Sequence, residues 1–455
     1  MRAELFHNVL NSIADAGRDI LNRRTVAANQ VTCEAEKTLS QLCRDLLSEK
    51  GEALGTALAL EVIQRYQGLD QTGRLAFFLM LRDEFEPAQE KLEDAIYTYL
   101  NDPTRENRQA LEQSVEAPRQ ALIRAMNMAP GGTSALLKMR EDLQRFLKED
   151  GSLKVVDKDF VHLFSSWFNR GFLRIQEISW ETPATVLEKI IEYEAVHAIA
   201  DWSDLRRRLA SDRRCYGFFH PALPGEPLIF VEVALTNELS KAVQPLLDQN
   251  KIGQVTEADT AIFYSISNCQ EGLKGISFGN FLIKQVVMEL KQELPNIKTF
   301  STLSPIPLFR KWLDTQFEDM LGKEDGNEVL ARLLKEPAFA NSYYGFKQRH
   351  IKEAQDLGPE DEKLLRTLCA LYLKKVKRAQ APYDPVARFH LGNGARLERI
   401  NWQGDISANG IKQSYGLMVN YLYDLNSIEQ NHEAFVNNNE VIISDDVAQL
   451  LKAGK

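Results

Sequence analysis

The stretch from residue 261 to residue 312 constrains the fold of this chain more than any other. An apolar run rich in β-branched and aromatic residues, Ala261–Ser267, leads into a loop with three glycines, Gly272, Gly275 and Gly279. After the glycines, apolar residues recur three and four apart, a spacing that is typical of an amphipathic helix. The pattern therefore predicts a buried strand, a glycine loop and a helix in that order.

The start of that helix would gather unpaired backbone N–H groups and the positive end of the helix dipole. A helix terminus of this kind binds phosphate or a developing oxyanion. The glycine spacing, however, matches neither a P-loop nor a dinucleotide-binding motif. Glycines that only allow the helix to pack on a sheet therefore stay an alternative interpretation.

A second apolar run, Ile297–Leu303, predicts the next strand and places Ser304 at its carboxyl end. Pro305 and Pro307 follow, and proline permits neither further ladder pairing nor helix at these positions. Ser304 is therefore a candidate functional residue, held at a strand end.

Composition places the chain among ordinary folded proteins. Its 455 residues, 44% hydrophobic and 26% charged, suffice for two or three domains. No run reaches the ~20 apolar residues of a membrane span, and the first residues lack the apolar core of a signal peptide, so we expect a cytoplasmic protein without a membrane partner. The net charge of −9 argues against a nucleic-acid partner. Five cysteines without a CxxC pair predict neither disulfides nor a metal site.

Residues 1–170 carry successive amphipathic patterns, which predict an all-helical domain that serves as a scaffold or in oligomerisation. The longest predicted helix, Pro103–Met126, would begin with Asp102 as N-cap and Pro103 at the first helical position. The other predicted helices are Cys33–Leu47, Glu52–Tyr66, Arg74–Phe85, Glu90–Leu100 and one that ends near Lys148.

From residue 171 onward short apolar runs replace the helical pattern. Cys215–Phe219 and Leu228–Leu235, joined by a segment rich in proline and glycine, predict a β-hairpin. Glu232 lies within the second run, and we weigh two roles for it, a paired core carboxylate or a site residue. The arginines within 206–214 are either a solvated helix end or a contact for the phosphates of a ligand.

The C-terminal part combines a helical insertion with further strands. Leu308–Lys377 returns to helical periodicity, whereas Val386–Leu391 predicts a strand that carries His390. A glycine turn and a return strand, Arg396–Trp402, would follow. Asn426–Lys455 is predicted as a polar tail with one amphipathic turn.

Five blocks of the chain carry a resemblance to a known family: Cys215–Thr236, Ala261–Ser267, Gly272–Lys284, Phe300–Trp312 and Pro385–Leu425. In this order they resemble the malonyl-CoA decarboxylase family. The resemblance implies an α+β multidomain fold, in which residues 1–170 form an all-helical domain and residues 171–455 a GNAT-like α/β catalytic domain with a helical insertion. The resemblance also implies that the glycine loop binds malonyl-CoA. The substrate-binding residues implied are Lys274, Gly275, Ile276, Ser277, Phe278, Gly279 and Asn280, together with Ser304 and His390.

The resemblance assigns catalysis to Ser304 and His390. They are 86 positions apart, so spacing alone does not show that they meet. Loss of CO2 from a malonyl thioester leaves an enolate, which needs hydrogen-bond donors at the thioester oxygen and a proton for the carbon. Loop amides can supply the first and a serine–histidine pair the second. Some relatives carry a glutamate where this chain has Ser277, which puts a carboxylate role at that position in question.

The expected activity is decarboxylation of malonyl-CoA to acetyl-CoA and CO2, with no metal, biotin or thiamine cofactor. Two alternatives stay open, since fold does not settle function: transfer of an acyl group from CoA to an amine, and non-catalytic sensing of acyl-CoA. The decarboxylase should act on malonyl-CoA alone, whereas a transferase needs an acceptor. A homo-oligomer, dimer or tetramer, formed through the helical domain is also expected.

Overall fold

The structure is a computed structural model that describes residues 9–20, 37–49, 51–169, 171–276, 282–315, 335–378 and 380–452. The chain divides into two compact units. The first, here called the helical unit, comprises Met1–Arg174, Phe219–Pro227 and Gln270–Phe278. The second, here called the sheet unit, comprises Ile175–Phe218, Leu228–Cys269 and Gly279–Lys455. Within the described residues, no helix is long and apolar enough to cross a membrane.

Amphipathic helices make up the helical unit, as the apolar periodicity predicts. Residues 9–20 belong to α1, and α2 (Leu39–Ser48), α3 (Glu52–Gln67), α4 (Gln71–Asp83), α5 (Gln89–Asn101), α6 (Arg105–Val115), α7 (Pro118–Asn127), α8 (Gly132–Phe146) and α9 (Lys154–Trp167) follow. Phe78, Leu122 and Leu136 are fully buried in the core of this unit. Each such side chain contributes roughly 1.5–3 kcal/mol through burial, so packing of the apolar faces stabilises the helices.

The single long helix predicted for Pro103–Met126 is wrong, because two helices occupy this segment. Thr104, not Asp102, caps α6 by accepting a hydrogen bond from the backbone N–H of Asn107. Pro118 then stands at the first position of α7. A proline inside a helix removes a backbone donor and clashes with the preceding turn, so the chain stops one helix and starts another there.

Helices α5 and α6 form a hairpin that buries none of its own residues. The apolar side chains of Ile96, Tyr97 and Leu100 on α5 are 40%, 71% and 73% exposed. Isolated helices of this length are marginally stable in water, and most helices gain stability by burying an apolar face. Among the described residues, nothing covers the apolar face of α5.

The described strands of the sheet unit form a seven-stranded sheet with the order β1-β2-β3-β4-β5-β9-β8. Its strands are β1 (Arg174–Glu177), β2 (Arg213–Phe219), β3 (Pro227–Thr236), β4 (Thr260–Asn268), β5 (Thr299–Thr302), β8 (Arg396–Asn401) and β9 (Met418–Leu422); β6 (Lys377–Arg378) and β7 (Ala381–Pro382) form a separate ribbon. Its helices are α10 (Ala184–Tyr193), α11 (Trp202–Arg208), α12 (Gln244–Leu247), α13 (Leu282–Glu293), α14 (Phe309–Thr315), α15 (Pro337–Lys347), α16 (Pro359–Lys375), α17 (Pro385–Gly392), α18 (Ala408–Ser414), α19 (Ile428–Asn438) and α20 (Asp445–Lys452). The expected α+β fold class, a helical N-terminal region followed by a sheet with helices, is confirmed.

Strands β4 and β5 run parallel for four residue pairs and then diverge. Their last pair is Phe263 with Thr302, although β4 continues to Asn268. Strand β5 is paired with β9 on its other side, and this pairing continues beyond β5, where Ser304 and Val419 exchange backbone hydrogen bonds of 2.8 and 2.9 Å. Ser304 thus lies where the two strands separate, at the carboxyl end of β5.

The prediction that Val386–Leu391 forms a strand is wrong, because His390 lies on helix α17. Asp384 caps this helix, accepting from the backbone N–H groups of Val386 and Ala387, and Pro385 occupies its first position. An aspartate cap followed by proline is a helix-start signal. In this short segment, where four of six residues are apolar, that signal outweighs the local appearance of a strand.

The prediction of a polar tail after Asn426 is wrong in part. The amphipathic turn predicted at Val447–Leu451 lies within helix α20, but the segment also forms α19, and both helices pack against other elements. Ile428 and Val447 are buried, and α19 packs against α17. Gly394 has a φ of +82°, and a Cβ atom there would lie 2.1 Å from the Ile428 carbonyl oxygen. This glycine, predicted as part of a hairpin turn, instead allows the chain to pass close to α19.

Candidate active site

The structure brings together the two residues predicted to be catalytic. Ser304 Oγ lies 3.1 Å from His390 Nε2, within hydrogen-bonding distance. Ser304 is 5% exposed and His390 3%. The contact joins the end of β5 to the last turn of α17, and Ser304 lies just beyond the last residue pair of β4 and β5.

Two tyrosines contact the His390 ring, Tyr421 on β9 and Tyr423 just after it. Its Nδ1 lies 2.8 Å from the Tyr423 hydroxyl oxygen. Its ring stacks on Tyr421, with ring centroids 4.8 Å apart and an angle of 24° between the planes. Burial lowers the pKa of His390 to about 3. The imidazole is therefore neutral at pH 7, because desolvation disfavours its charged form.

The Ser304 hydroxyl has a second hydrogen-bonding partner besides His390. It donates a hydrogen bond to Thr302 Oγ1 at 2.8 Å. Thr302 Oγ1 also accepts the backbone N–H of Tyr421 at 3.2 Å. A chain of hydrogen bonds therefore runs from Thr302 through Ser304 and His390 to Tyr423.

The described residues place no carboxylate in hydrogen-bonding contact with His390. The buried carboxylate of Asp384 caps α17 and accepts from the Tyr372 hydroxyl at 3.4 Å. Burial raises the pKa of Asp384 to about 6. The site thus differs from a Ser-His-Asp triad, since a tyrosine takes the place of the acid beside Nδ1.

The described part of the glycine loop belongs to the helical unit. The Gly272 carbonyl oxygen accepts from Arg140 Nη1 at 2.6 Å, and a Cβ atom at Gly272 would lie 2.4 Å from the Leu137 carbonyl oxygen. Gly275 has a φ of +82°, and apart from its two chain neighbours no described residue places an atom within 4 Å of a Cβ atom built there. Lys274 and Ile276 flank it in the described loop, whereas Ser277, Phe278, Gly279 and Asn280 lie outside the described residues.

The arginines within 206–214 do not form an open phosphate site. Arg207 and Arg213 are buried against Asp212, and Arg208 donates to Glu232 Oε2 at 2.7 Å. Glu232 is fully buried, so of its two weighed roles the contacts favour the paired core carboxylate. Arg206 is exposed, with its guanidinium 5.1 Å from the ring centre of Trp180.

Sequence reasoning missed Thr302, Tyr421 and Tyr423. Thr302 and Ser304 are two residues apart along one strand direction, as are Tyr421 and Tyr423, and side chains two apart on a strand point to the same face. This spacing of two was the only indication in the sequence that these side chains share a face. It points to a common site only once β5 and β9 are known to pair, which aligns Ser304 with Val419.

A mixed seven-stranded sheet with helices and a buried serine–histidine contact define an α+β protein with a candidate catalytic pair. Sequence profiles then identify the family. The profile of the malonyl-CoA decarboxylase C-terminal domain matches residues 171–455, and that of the N-terminal domain matches residues 85–168. The chain therefore belongs to the malonyl-CoA decarboxylase family, a family of carboxy-lyases.

Individual relatives agree with this assignment. The mitochondrial malonyl-CoA decarboxylase of Anser anser anser is 35% identical over 439 residues, which cover 88% of this chain and 84% of the relative. The solved malonyl-CoA decarboxylase of Rhodopseudomonas palustris is 48% identical with a TM-score of 0.83, covering 90% of this chain and 98% of that one. The corresponding structure from Agrobacterium vitis is 46% identical with a TM-score of 0.79, covering 91% and 99%.

Proposed function

We propose that this protein converts malonyl-CoA to acetyl-CoA and CO2, and that Ser304 and His390 deliver the proton. Membership of the malonyl-CoA decarboxylase family supports the reaction. The single observation that supports the site is the 3.1 Å contact between Ser304 Oγ and His390 Nε2. A buried, neutral imidazole against a hydroxyl is suited to move a proton without holding a permanent charge.

Decarboxylation breaks the bond between C2 of the malonyl group and its carboxylate carbon. CO2 leaves, and the electron pair passes to the thioester as an enolate. Since the substrate carries its own electron sink, we propose that no metal, biotin or thiamine takes part. Backbone amides can stabilise the developing negative charge on the thioester oxygen. We propose the amides of the loop from Lys274 to Asn280 for this task and for binding the CoA pyrophosphate.

The enolate carbon then needs one proton, and the hydrogen-bond chain supplies a route. Ser304 gives its hydroxyl hydrogen to C2 and takes the Nε2 hydrogen of His390. The Nδ1 atom of His390 takes the hydroxyl hydrogen of Tyr423. Tyr423 then regains a hydrogen from water. Burial raises the pKa of Tyr423 well above its ordinary value, so the phenol is protonated at rest. An enolate carbon is a far stronger base than a phenolate, so the transfer runs toward carbon.

The test is a reaction with purified full-length protein and malonyl-CoA alone. We expect acetyl-CoA and CO2 in equal amounts, with the same rate after dialysis against EDTA. Loss of activity in EDTA that a divalent ion restores would contradict the cofactor-free proposal. Turnover only after addition of an amine would indicate acyl transfer, and binding of malonyl-CoA without CO2 release would indicate a sensor.

We also propose that a homo-oligomer, dimer or tetramer, forms through the helical unit. The unburied α5–α6 hairpin supports this, because Tyr97 and Leu100 expose most of their apolar surface. A second copy of the chain would cover this face and stabilise both helices. A cytoplasmic location and the lack of a nucleic-acid partner stay predictions.

Light scattering on the wild type and on Tyr97→Asp/Leu100→Asp tests the oligomer proposal. We expect the double variant to be smaller than the wild type while its helix content stays similar. Val436→Asp is the matched control, since Val436 is also an exposed apolar helix residue, 57% exposed, but lies on α19. An unchanged mass for the α5 variant would place the interface elsewhere.

A further inference from the structure

The hydroxyl of Ser304 has one hydrogen but two hydrogen-bonding neighbours. It donates that hydrogen to Thr302 Oγ1 at 2.8 Å. Its other neighbour, His390 Nε2, lies 3.1 Å from Ser304 Oγ. Since Ser304 has no second hydrogen, this contact is a hydrogen bond only if Nε2 carries the hydrogen and Ser304 accepts it.

The opposite side of the imidazole fits the same arrangement. A neutral imidazole with a hydrogen on Nε2 has a bare Nδ1, which accepts a hydrogen bond. The neighbour of Nδ1 is the Tyr423 hydroxyl at 2.8 Å, which can donate. The hydrogens therefore point in one direction along the chain, from Tyr423 through His390 and Ser304 to Thr302.

We propose that Thr302 is a positioning residue that fixes His390 in the tautomer with hydrogen on Nε2. By accepting the Ser304 hydrogen, Thr302 prevents Ser304 from donating to His390. The imidazole can then satisfy both contacts in one tautomer only. The proposal assigns Thr302 no contact with substrate.

The surroundings of Thr302 suit a fixed acceptor. The side chain is fully buried and β-branched, and β-branching restricts its rotamer. Its Oγ1 already accepts the Tyr421 backbone N–H at 3.2 Å. Its carbonyl oxygen accepts Asn420 Nδ2 at 2.7 Å, which anchors the backbone next to Ser304. Because the Ser304 hydroxyl and the Tyr421 backbone N–H both donate to Thr302 Oγ1, this oxygen is favoured as an acceptor.

The consequence for catalysis rests on the proposed decarboxylase function. In the resting protein the tautomer keeps a transferable hydrogen on the nitrogen that faces Ser304. When Ser304 turns its own hydrogen from Thr302 to C2 of the enolate, Nε2 replaces it at once. In the other tautomer Nε2 would be bare, and the serine could not be refilled from that side. A wrong tautomer with intact geometry is costly in serine–histidine sites.

The decisive measurement is the tautomer of His390 in the substrate-free protein. Protein labelled with nitrogen-15 histidine gives separate NMR shifts for protonated and bare ring nitrogens, and His390→Gln assigns the signals by their loss. We expect the wild type to show hydrogen on Nε2 and a bare Nδ1. Thr302→Val keeps the shape but lacks the acceptor, so Ser304 donates to Nε2 and the hydrogen moves to Nδ1. Thr302→Ser should retain the wild-type tautomer.

Turnover is measured on the same preparations. We expect Thr302→Val to lower kcat about 10- to 100-fold with KM changed less than about threefold, and Thr302→Ser to restore most of the rate. A wild type with hydrogen on Nδ1, or a Thr302→Val variant that keeps hydrogen on Nε2, overturns the proposal. The wild-type spectrum decides even if the valine variant does not fold. Because the spectrum needs no substrate, an inactive wild type with the expected tautomer would contradict the decarboxylase proposal alone.

Discussion

The imidazole of His390 stacks on the ring of Tyr421, with centroids 4.8 Å apart, so aromatic surface covers one face of this buried histidine. This burial lowers the pKa of His390 from 6.5 to about 3. The folded protein therefore binds fewer protons than the unfolded chain between these two pH values, and His390 contributes stability that is fully present above pH 6.5.

The first prediction is that this contribution is lost as pH falls from about 6.5 toward 3. Replacing His390 by glutamine removes it, so the difference in free energy of unfolding between wild type and His390→Gln should shrink with a slope of up to about 1.4 kcal/mol per pH unit. Chemical denaturation at several pH values measures this difference. A difference that does not change with pH would show that His390 titrates normally in the folded protein.

The second prediction concerns the serine–histidine pair. His390→Asn and Ser304→Ala should each lower turnover by about 10²–10⁴-fold, the usual effect of losing a positioned acid–base group, with a much smaller change in affinity for malonyl-CoA. The double variant should be little slower than either single variant, because groups that act as one unit are not additive.

Thermal unfolding of the same three variants provides the control. If Ser304 only satisfies the turn before Pro305, Ser304→Ala would lose stability but retain its rate per folded molecule. Losses that multiply in the double variant would show instead that the serine and the histidine act independently.

Much of the fold follows from sequence patterns that are local. The strand that begins near Ala261, the helix that follows the glycines, and the hairpin of β2 and β3 are confirmed because period and turn residues agree there. The segment Val386–Leu391, with four apolar residues among six, fits the period of a strand or of a helix, and only the cap at Asp384 shows that His390 lies on a helix. The boundary between α6 and α7 is another case, because the apolar period runs on past it and only Pro118 marks the start of the second helix.

The site was predictable only as far as the family resemblance reached. Ser304 and His390 were named, but Thr302 and Tyr423 were not, because their roles depend on contacts between segments far apart in the chain. The register that pairs Ser304 with Val419 brings Tyr423 beside β5, where its backbone N–H bonds to the Phe300 carbonyl oxygen at 2.8 Å. No local pattern specifies that register, since it depends on which strands meet across the sheet.

The third prediction separates two glycines of the loop. A Cβ atom at Gly272 would collide with the Leu137 carbonyl, so Gly272→Ala should lower stability by about 1–3 kcal/mol. No described residue beyond its chain neighbours lies within 4 Å of a Cβ atom at Gly275, but φ there is +82°. Gly275→Val should therefore raise KM for malonyl-CoA more than it disturbs folding, because a side chain would block the approach of the pyrophosphate to the backbone.

Gly275→Asn serves as the control for backbone strain, since asparagine tolerates positive φ better than other residues with a side chain. If Gly275→Asn raises KM as Gly275→Val does, the side chain itself obstructs the ligand. Normal KM values for both variants, measured on folded protein, would show that CoA does not bind at this glycine.

The last prediction concerns the buried ion pair of Arg208 and Glu232, whose Nη1 and Oε2 atoms are 2.7 Å apart. Burial raises the pKa of Glu232 to about 7, although Arg208 opposes the shift. Arg208→Met leaves this carboxylate unpaired and should cost about 3–5 kcal/mol at pH 8. A carboxyl with a raised pKa binds a proton in the folded state as pH falls, so the loss should be smaller at pH 5, where Glu232 is neutral. Chemical denaturation of wild type and Arg208→Met at both pH values measures this loss of stability. Arg206→Met, at an exposed arginine, is the control. An equal loss at pH 5 and pH 8 would mean that Arg208 acts through packing rather than charge.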